Sequence, residues 1–346
     1  MDKLGIIILN WNGKKHLETY LPSVISNSGE HKVVVVDNNS SDDSVSFLKL
    51  TYPQIELIHN IENGGFAKGY NDGLEQIKGR FDYYVLLNSD VEVTANWISP
   101  ILDLMEKDKT VSACQPKVLA YKNKTKFEHA GASGGYLDKN GYPFCRGRIF
   151  DDVEEDKGQY DTIEEIFWAT GACMFVRSRF FHELGGFDED YFAHMEEIDL
   201  CWRMKLHGQK IMVNPNSVVY HLGGGTLNYL SPRKVFLNFR NSLFTLYKNY
   251  RGKFLFFKIL WRICLDYIAV FAFVLNGEFK GSWQIIKAQF HFLKQFGAMK
   301  KKRKSLLEST KGKKANRKGI YNKSVVFSRF IKFKKHFSDL NLNSFN

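Results

Sequence analysis

Four short apolar runs, Leu4–Leu9, Val33–Val36, Ile55–Ile58 and Tyr83–Leu87, recur at helix-length intervals, and each gives way to polar residues. Continuous apolar runs of this length suit strands of a parallel sheet buried on both faces. Between the first two runs, Leu17, Leu21, Val24 and Ile25 fall on one helical face. Between the second and third, Ser40-Ser41-Asp42-Asp43 offers N-caps for a helix carrying Val45, Phe47 and Leu48. The alternation predicts a doubly wound α/β layer, whose ligands bind beyond the carboxyl ends of the strands. The residues there are Asn10-Trp11-Asn12, Asp37-Asn38-Asn39, His59–Gly65 and Asn88-Ser89-Asp90. Singly, each is ordinary turn chemistry. In register on one sheet edge, they mark a recognition site.

From Val111 to about Asp161 the periodicity blurs into glycines and the acidic patch Asp151–Asp156, which predicts loops with short strands over the site. Regular signals return with a strand at Cys173–Val176, a helix at Arg179–Leu184, a turn at Gly185-Gly186-Phe187 and a helix over Glu196–His207. Two short strands, Ile211–Val213 and Val218–Tyr220, follow.

Charge divides the chain. Of 49 basic and 37 acidic residues, 22 and four lie in Arg251–Asn346, a net of +18, which leaves −6 for Met1–Tyr250. The expected division is a body over residues 1–250, an amphipathic helical membrane-associating region over 251–299 and a basic, flexible tail over 300–346. A basic tail on an acidic body is an electrostatic anchor, for anionic lipid, nucleic acid or an acidic protein. The five cysteines are far apart and never in CxxC spacing, which suggests neither a disulfide framework nor a zinc site. The apolar run Leu4–Leu9 is too short for a signal-peptide core. A reducing, cytoplasmic setting is expected.

Three clusters carry chemistry. Asp90, just after the strand Tyr83–Leu87, would meet a divalent cation and a diphosphate at the sheet edge; Mg2+ or Mn2+ takes oxygen ligands and completes its shell with substrate phosphates. Glu196, Glu197 and Asp199 open a helix, where its dipole favours carboxylates. One of them there can also serve as general base for an acceptor hydroxyl. His221 precedes Leu222-Gly223-Gly224-Gly225-Thr226, where glycines let backbone approach a ligand and a neutral imidazole can complete a metal site.

In order along the chain stand Ile8-Leu9-Asn10-Trp11-Asn12, Val36-Asp37-Asn38-Asn39-Ser40-Ser41-Asp42, Asn63-Gly64-Gly65-Phe66-Ala67-Lys68-Gly69-Tyr70-Asn71 and Leu87-Asn88-Ser89-Asp90. Gly171-Ala172-Cys173, Gly185-Gly186-Phe187-Asp188-Glu189, Glu196 to Arg203, His221 to Thr226 and Arg240-Asn241 continue the series. From about Leu4 to Tyr250 the chain resembles the family 2 glycosyltransferases, in particular their rhamnosyltransferase-like bacterial branch. The resemblance implies a glycosyltransferase A type fold, a Rossmann-like mostly parallel sheet flanked by helices, with inversion at the anomeric carbon. It further implies that Asp37 reads the base with Asn39 beside it, that Asn63, Lys68 and Asn71 close on the nucleotide, and that Asp90 and His221 attend the metal and diphosphate. Asn10, Asn12 and Asn88 join the nucleotide-sugar edge. Glu197 falls at the catalytic-base position with Glu196 as its rival, and Asp188 and Trp202 lie in elements that face the acceptor. Asn88 stands where the commonest pattern has the first Asp of DxD, and Glu196-Glu197 stands where Glu-Asp is usual.

The expected donor is dTDP-rhamnose or a UDP-sugar, the acceptor a glycan, polyprenyl-linked, and the place the inner face of the cell membrane. No GxGxxG follows the first strand and no P-loop occurs, which argues against a dinucleotide oxidoreductase or an NTPase. No specific nucleic acid partner is expected; binding of one through the tail, on a silent fold, is the competing reading. In the tail, the longest uncharged run of the Phe254–Leu275 region, Tyr267–Gly277, has 11 residues, against about 20 needed to span a bilayer. Helices lying in the interface are expected instead, with Lys300–Lys304 and Lys311–Lys318 drawn to anionic lipid.

Overall fold

The computed structural model describes residues 2–223 and 231–346. Its centre is a parallel unit: β1 (Asp2–Asn10), α1 (Lys14–Asn27), β2 (Lys32–Asp37), α2 (Ser44–Thr51), β3 (Glu56–His59), α3 (Gly65–Gln76) and β4 (Phe81–Asn88). Strand order β3-β2-β1-β4 is parallel throughout. The apolar runs work because successive residues point to opposite layers. Leu4, Ile6, Ile8, Val35, Val85 and Leu87 pack with Leu17, Leu21 and Val24 of α1. Ile7, Val34, Val36, Tyr84 and Leu86 pack with Tyr70 and Leu74 of α3 on the other side. Each such aliphatic burial contributes about 1.5–3 kcal/mol. A Cβ at Gly73 would come 2.6 Å from Val36, so glycine lets α3 lie against β2.

Beyond β4 the sheet turns mixed. β5 (Val91–Val93), α4 (Ser99–Lys107), β6 (Val111–Ala120) and β7 (Asn123–Phe127) follow; then come β8 (Gly135–Asp138), β9 (Pro143–Cys145), β10 (Arg148–Ile149), β11 (Asp152–Val153) and β12 (Glu164–Ile166). β13 (Cys173–Arg177), α5 (Ser178–Glu183), α6 (Glu196–Leu206) and β14 (Lys210–His221) complete the body. The large sheet runs β12-β14-β6-β13-β4-β1-β2-β3, with β5 on β14 and β7 on β6. The region expected to be mostly loops thus contributes β6, a buried strand of the central sheet. The two short strands expected at Ile211–Val213 and Val218–Tyr220 are one, β14, interrupted where its pairing with β6 jumps between Asn214 and Val218. Pro215 falls at that bulge, where a missing N–H costs no ladder bond.

The C-terminal part is helical: α7 (Pro232–Asn249), α8 (Leu255–Leu275), α9 (Phe279–Lys294), α10 (Phe296–Ser309) and α11 (Val325–Phe330), with β15 (Ile320–Tyr321) before α11. The tail expected to be flexible is folded onto the body. β15 pairs with β8 as the edge of a second sheet, β11-β10-β9-β8-β15, and Tyr321, Phe337 and Leu340 are buried. α8 carries its polar residues on the inner side. Arg262 and Asp266, which break its apolar run, face inward at 2% and 0% exposure, 3.0 Å apart, with Tyr142 Oη donating to Asp266 at 2.9 Å. Phe256, Phe257, Leu260, Trp261, Ile268 and Phe271 face outward. Among the described residues, no helix is long and apolar enough to cross a membrane.

Candidate active site

Strand register sets the first edge. Asn10 stands opposite Asp37 and Leu9 opposite Asn88, so three expected residues come level at the carboxyl ends of β1, β2 and β4. Asn10 is fully buried; its Nδ2 lies 3.3 Å from Asp37 Oδ1 and 3.2 Å from Ser40 Oγ. Asp37, also buried, accepts the Ser40 N–H at 3.1 Å and lies 3.8 Å from His59 Nδ1. Asn12 and Asn39 hold left-handed backbone, φ 49° and 60°, which Asn tolerates. Asn12 Oδ1 accepts the N–H groups of Ser41 and Asp42, tying the β1 loop to the β2 loop. A cavity of ≈ 420 Å3 opens there, lined by Asn12, Lys14, Lys15, His16 and Asp42.

The second corner is built by antiparallel pairing of β5 with β14, which sets Val91 opposite His221, while Leu222 N–H donates to the Asp90 carbonyl at 3.1 Å. His221 Nε2 therefore lies 3.2 Å from Asp90 Oδ1. Its Nδ1 lies 3.3 Å from Oε2 of Glu128, a buried residue directly after β7 whose N–H donates to the Val118 carbonyl. Burial opposes charge on the imidazole, but the two carboxylates raise its pKa to about 10. Burial likewise opposes the charges of Asp90 and Glu128, and His221 holds both carboxyls below their usual range. Among the described residues, no cluster of three or more His, Cys, Asp or Glu forms a closed metal cage. A cation shared with substrate phosphates would fit these donors once the His221 Nε2 proton is displaced: one carboxylate, one imidazole nitrogen, and a second carboxylate on the far side of the ring to orient it.

The third element is the entry to α6. Phe192, His194 and Met195 all have positive φ, 63°, 69° and 74°, at a cost of about 1–3 kcal/mol each. Asn241 of α7 holds this turn, its Nδ2 lying 2.7–3.0 Å from the carbonyls of Tyr191, Ala193 and His194. Its neighbour Arg240 donates to the carbonyls of Asp190 and Tyr191 at 2.8 and 3.0 Å. From the other side the Phe192 carbonyl accepts the Phe66 N–H at 2.7 Å. Gly65 is required beside it, since its φ is +82° and a Cβ would meet Phe192 at 2.6 Å.

The clamped turn delivers Glu196 and Glu197, and in each the Oε2 atom is buried with no hydrogen-bond partner among the described residues. Burial raises the Glu197 pKa to about 7. Burial and the Glu197 charge drive Glu196 well above the ordinary range. Glu197 stands beside Gly171, where an added Cβ would lie 3.9 Å from its own Cβ. The next residue, Ala172, accepts the Asn88 N–H at 3.0 Å, so the acid and the Asn88-Ser89-Asp90 turn share one strand junction.

Other expected site residues make contacts within the protein. Asn63 Oδ1 accepts from Asn38 Nδ2 and the Gly65 N–H, both at 2.9 Å, shaping the start of α3. The Asn71 amide takes the Phe187 N–H and donates to the Phe187 carbonyl, both at 2.9 Å. Lys68 pairs with Asp72 on its own helix and lies 3.7 Å from Glu62. The buried Asp188 carboxylate takes Lys248 of α7 and Lys302 of α10. Trp202 packs its ring 5.4 Å from Phe167 in the core. Gly224, Gly225 and Thr226 lie outside the described residues. Glu128, which no sequence pattern marks, and Asn38 and Asn60, bonded to each other at 3.0 Å beneath α3, complete the constellation.

A parallel sheet with a polar asparagine–aspartate edge, an aspartate after β4 and an acidic helix facing it define a glycosyltransferase A type fold. The family model described as glycosyl transferase family 2 matches residues 5–185, more than half of the chain, and the protein belongs to that family, in its rhamnosyltransferase-like branch. It is 24% identical over 235 residues to the N-acetylglucosaminyl-diphospho-decaprenol L-rhamnosyltransferase of Mycobacterium tuberculosis, covering 64% of this chain and 76% of that protein. Among solved structures, TarS residues 1–349 of S. aureus superpose with a TM-score of 0.55 at 15% identity, covering 88% and 83% of the two chains. The mannosyltransferase PcManGT of Pyrobaculum calidifontis, solved with GDP-Man and Mn2+, gives 0.51 at 15% identity over 88% and 85%. At these identities the structural likeness is one of fold.

Proposed function

We propose that this glycosyltransferase inverts: it moves a sugar from a nucleotide diphosphate sugar, dTDP-rhamnose or a UDP-sugar, to a hydroxyl of a lipid-linked glycan in cell-surface polysaccharide biosynthesis. The observation that carries this reading is the Glu197 carboxylate, whose buried Oε2 has no hydrogen-bond partner among the described residues, joined through the Ala172–Asn88 bond to the Asp90–His221 corner. Asn10, Asn12, Asp37 and Asn39 form the nucleoside end of the donor site, and Asn88 and Lys68 lie toward the diphosphate. Asp90 and His221 would hold Mg2+ or Mn2+, which when bound supplies positive charge to the leaving diphosphate. Glu128 orients the imidazole. Glu197 takes the proton of the incoming hydroxyl, help typically worth about 10²–10⁴ in rate. Its pKa of about 7 suits a base at neutral pH, while burial and the Glu197 charge hold the Glu196 carboxyl well above the ordinary range. The Mn2+ in the mannosyltransferase structure and the diphospholipid in the mycobacterial enzyme's name support the metal and acceptor parts. Outward aromatics on α8, among them Trp261, support a peripheral seat on the anionic inner face of the membrane.

The test is sugar transfer by the purified full chain from dTDP-, UDP- and GDP-sugars to a prenyl-diphosphate-linked N-acetylglucosamine. Transfer that needs Mn2+ or Mg2+ and stops in excess EDTA is expected. Undiminished transfer in EDTA removes the metal, and neither transfer nor hydrolysis of any donor removes the proposal.

A further inference from the structure

A second cavity, of ≈ 500 Å3, lies between α7, α9 and the strained turn before α6, lined by Phe192, Arg233, Phe236, Arg240, Gln284 and Lys287. Among the described residues its lining holds three cations and no carboxylate. The cations are seated on rings: Arg233 Cζ is 4.5 Å from the Phe192 centroid, and Arg240 Cζ and Lys287 Nζ are 5.3 and 5.6 Å from that of Phe236. Arg240 is buried and already bonded to the Asp190 and Tyr191 carbonyls, while Arg233 and Lys287 are exposed at the mouth. His291, whose ring lies 5.6 Å from Phe236, is held below its usual pKa by burial and by Arg240, Lys294 and Lys287, which reports the same positive field. An anion is the complement of such a pocket.

The wall leading out of it is apolar. Trp283, Lys287 and Phe290 follow one stripe of α9 at helical spacing, and Trp283 and Phe290 are exposed at 60% and 66%. α8, packed against α9, carries further exposed apolar side chains, Phe271 and Leu275. A cationic pocket opening onto an exposed aromatic stripe matches a ligand with a phosphate head and a hydrocarbon chain. The pocket also lies close to the chemistry in sequence and structure, since Phe192 is five residues before Glu197, at most about 18 Å along the chain. Arg240 binds the same backbone turn that positions that acid.

We propose that this pocket is the acceptor's phosphate subsite: Arg233 and Lys287 clasp the diphosphate of a prenyl-linked acceptor, and the prenyl chain lies over Trp283 and Phe290. The proposal rests on the lipid-linked acceptor of the preceding reading, but it is tested by binding, without transfer. Farnesyl diphosphate, inorganic pyrophosphate and farnesol are titrated calorimetrically against the full wild-type chain, Arg233→Gln/Lys287→Gln, and a charge-matched control, Lys49→Gln/Lys107→Gln, on the far surface. Farnesyl diphosphate is expected to bind wild type and control alike and the pocket variant about tenfold or more weakly, with pyrophosphate and farnesol far weaker on all three. Equal affinity of farnesyl diphosphate for all three proteins overturns the pocket. Pyrophosphate binding as tightly as farnesyl diphosphate points to a free-phosphate site and overturns the lipid assignment, as does farnesol binding equally well. Selective weakening in the pocket variant with no transfer activity in any protein upholds the subsite and counts against the proposed reaction.

Discussion

Two groups of acids meet at the start of α6, and they are treated in opposite ways. Asp188 and Asp199 are buried among cations. Lys248 reaches both, Lys302 adds to Asp188, and Arg203 lies 2.8 Å from Asp199. Burial opposes their ionisation, but these cations hold both carboxyls below the usual range. Among the described residues no cation pairs with Glu196 or Glu197, and burial raises both. The difference separates structure from chemistry on one short segment. A paired carboxylate is a fixed charge that ties α7 and α10 to the catalytic turn. An unpaired one is free to exchange a proton near neutrality.

Removing the unpaired acid should have the largest effect. Glu197→Gln is expected to lower kcat for transfer by about 10²–10⁴ while donor affinity and thermal stability stay near wild type. Steady-state kinetics with donor titration and a melting curve check this. A variant of normal turnover moves the base to another residue.

On the paired side the expected loss is in stability. Asp188→Asn leaves Lys248 and Lys302 without their shared partner and should cost roughly 3 kcal/mol, the low end for breaking a buried pair, because Lys248 keeps Asp199 and Lys302 reaches water. The pKa of Asp188 is depressed in the fold, so its contribution is present above the unfolded value near 4 and is lost as pH falls through the lower folded value. Urea unfolding should therefore show a large gap between wild type and variant at pH 7 that narrows below pH 4. A gap that is absent at pH 7 would show the pair to be dispensable.

The parallel half of the fold is legible in the sequence because its strands are unbroken apolar runs, and register alone then brings Asn10, Asp37 and Asn88 together. β6 is not legible, since Gln115, Pro116 and Lys117 interrupt it. These positions are nonetheless buried, with Gln115 accepting the Thr170 N–H at 3.0 Å and Lys117 2.7 Å from Asp156. Partners so distant along the chain leave no local pattern, and Glu128 escapes notice for the same reason. Motif order located Asn71 and Asp188 beside the site without revealing which way their side chains turn. In α8, Arg262 and Asp266 show in the sequence only as charges breaking an apolar run, and the partners that let them face inward, each other and Tyr142, leave no local signal. The basic tail is bound by Lys302 and by buried aromatics, so deleting residues 300–346 tests folding before it tests membrane affinity.

The smallest effect is expected at Glu196, and it bears most directly on which acid is the base. Burial and the Glu197 charge raise the Glu196 carboxyl well above the ordinary range, and glutamine matches the protonated acid in shape. Glu196→Gln is expected to keep transfer within about threefold of wild type, since the amide preserves that shape without adding a charge. Glu197 acts as base only when ionised, so kcat/KM should fall about tenfold per unit as pH drops below its pKa of about 7 and level off above it. That limb should be unmoved in Glu196→Gln. A limb that disappears in this variant, with activity lost, would make Glu196 the proton acceptor and leave Glu197 as the neutral neighbour.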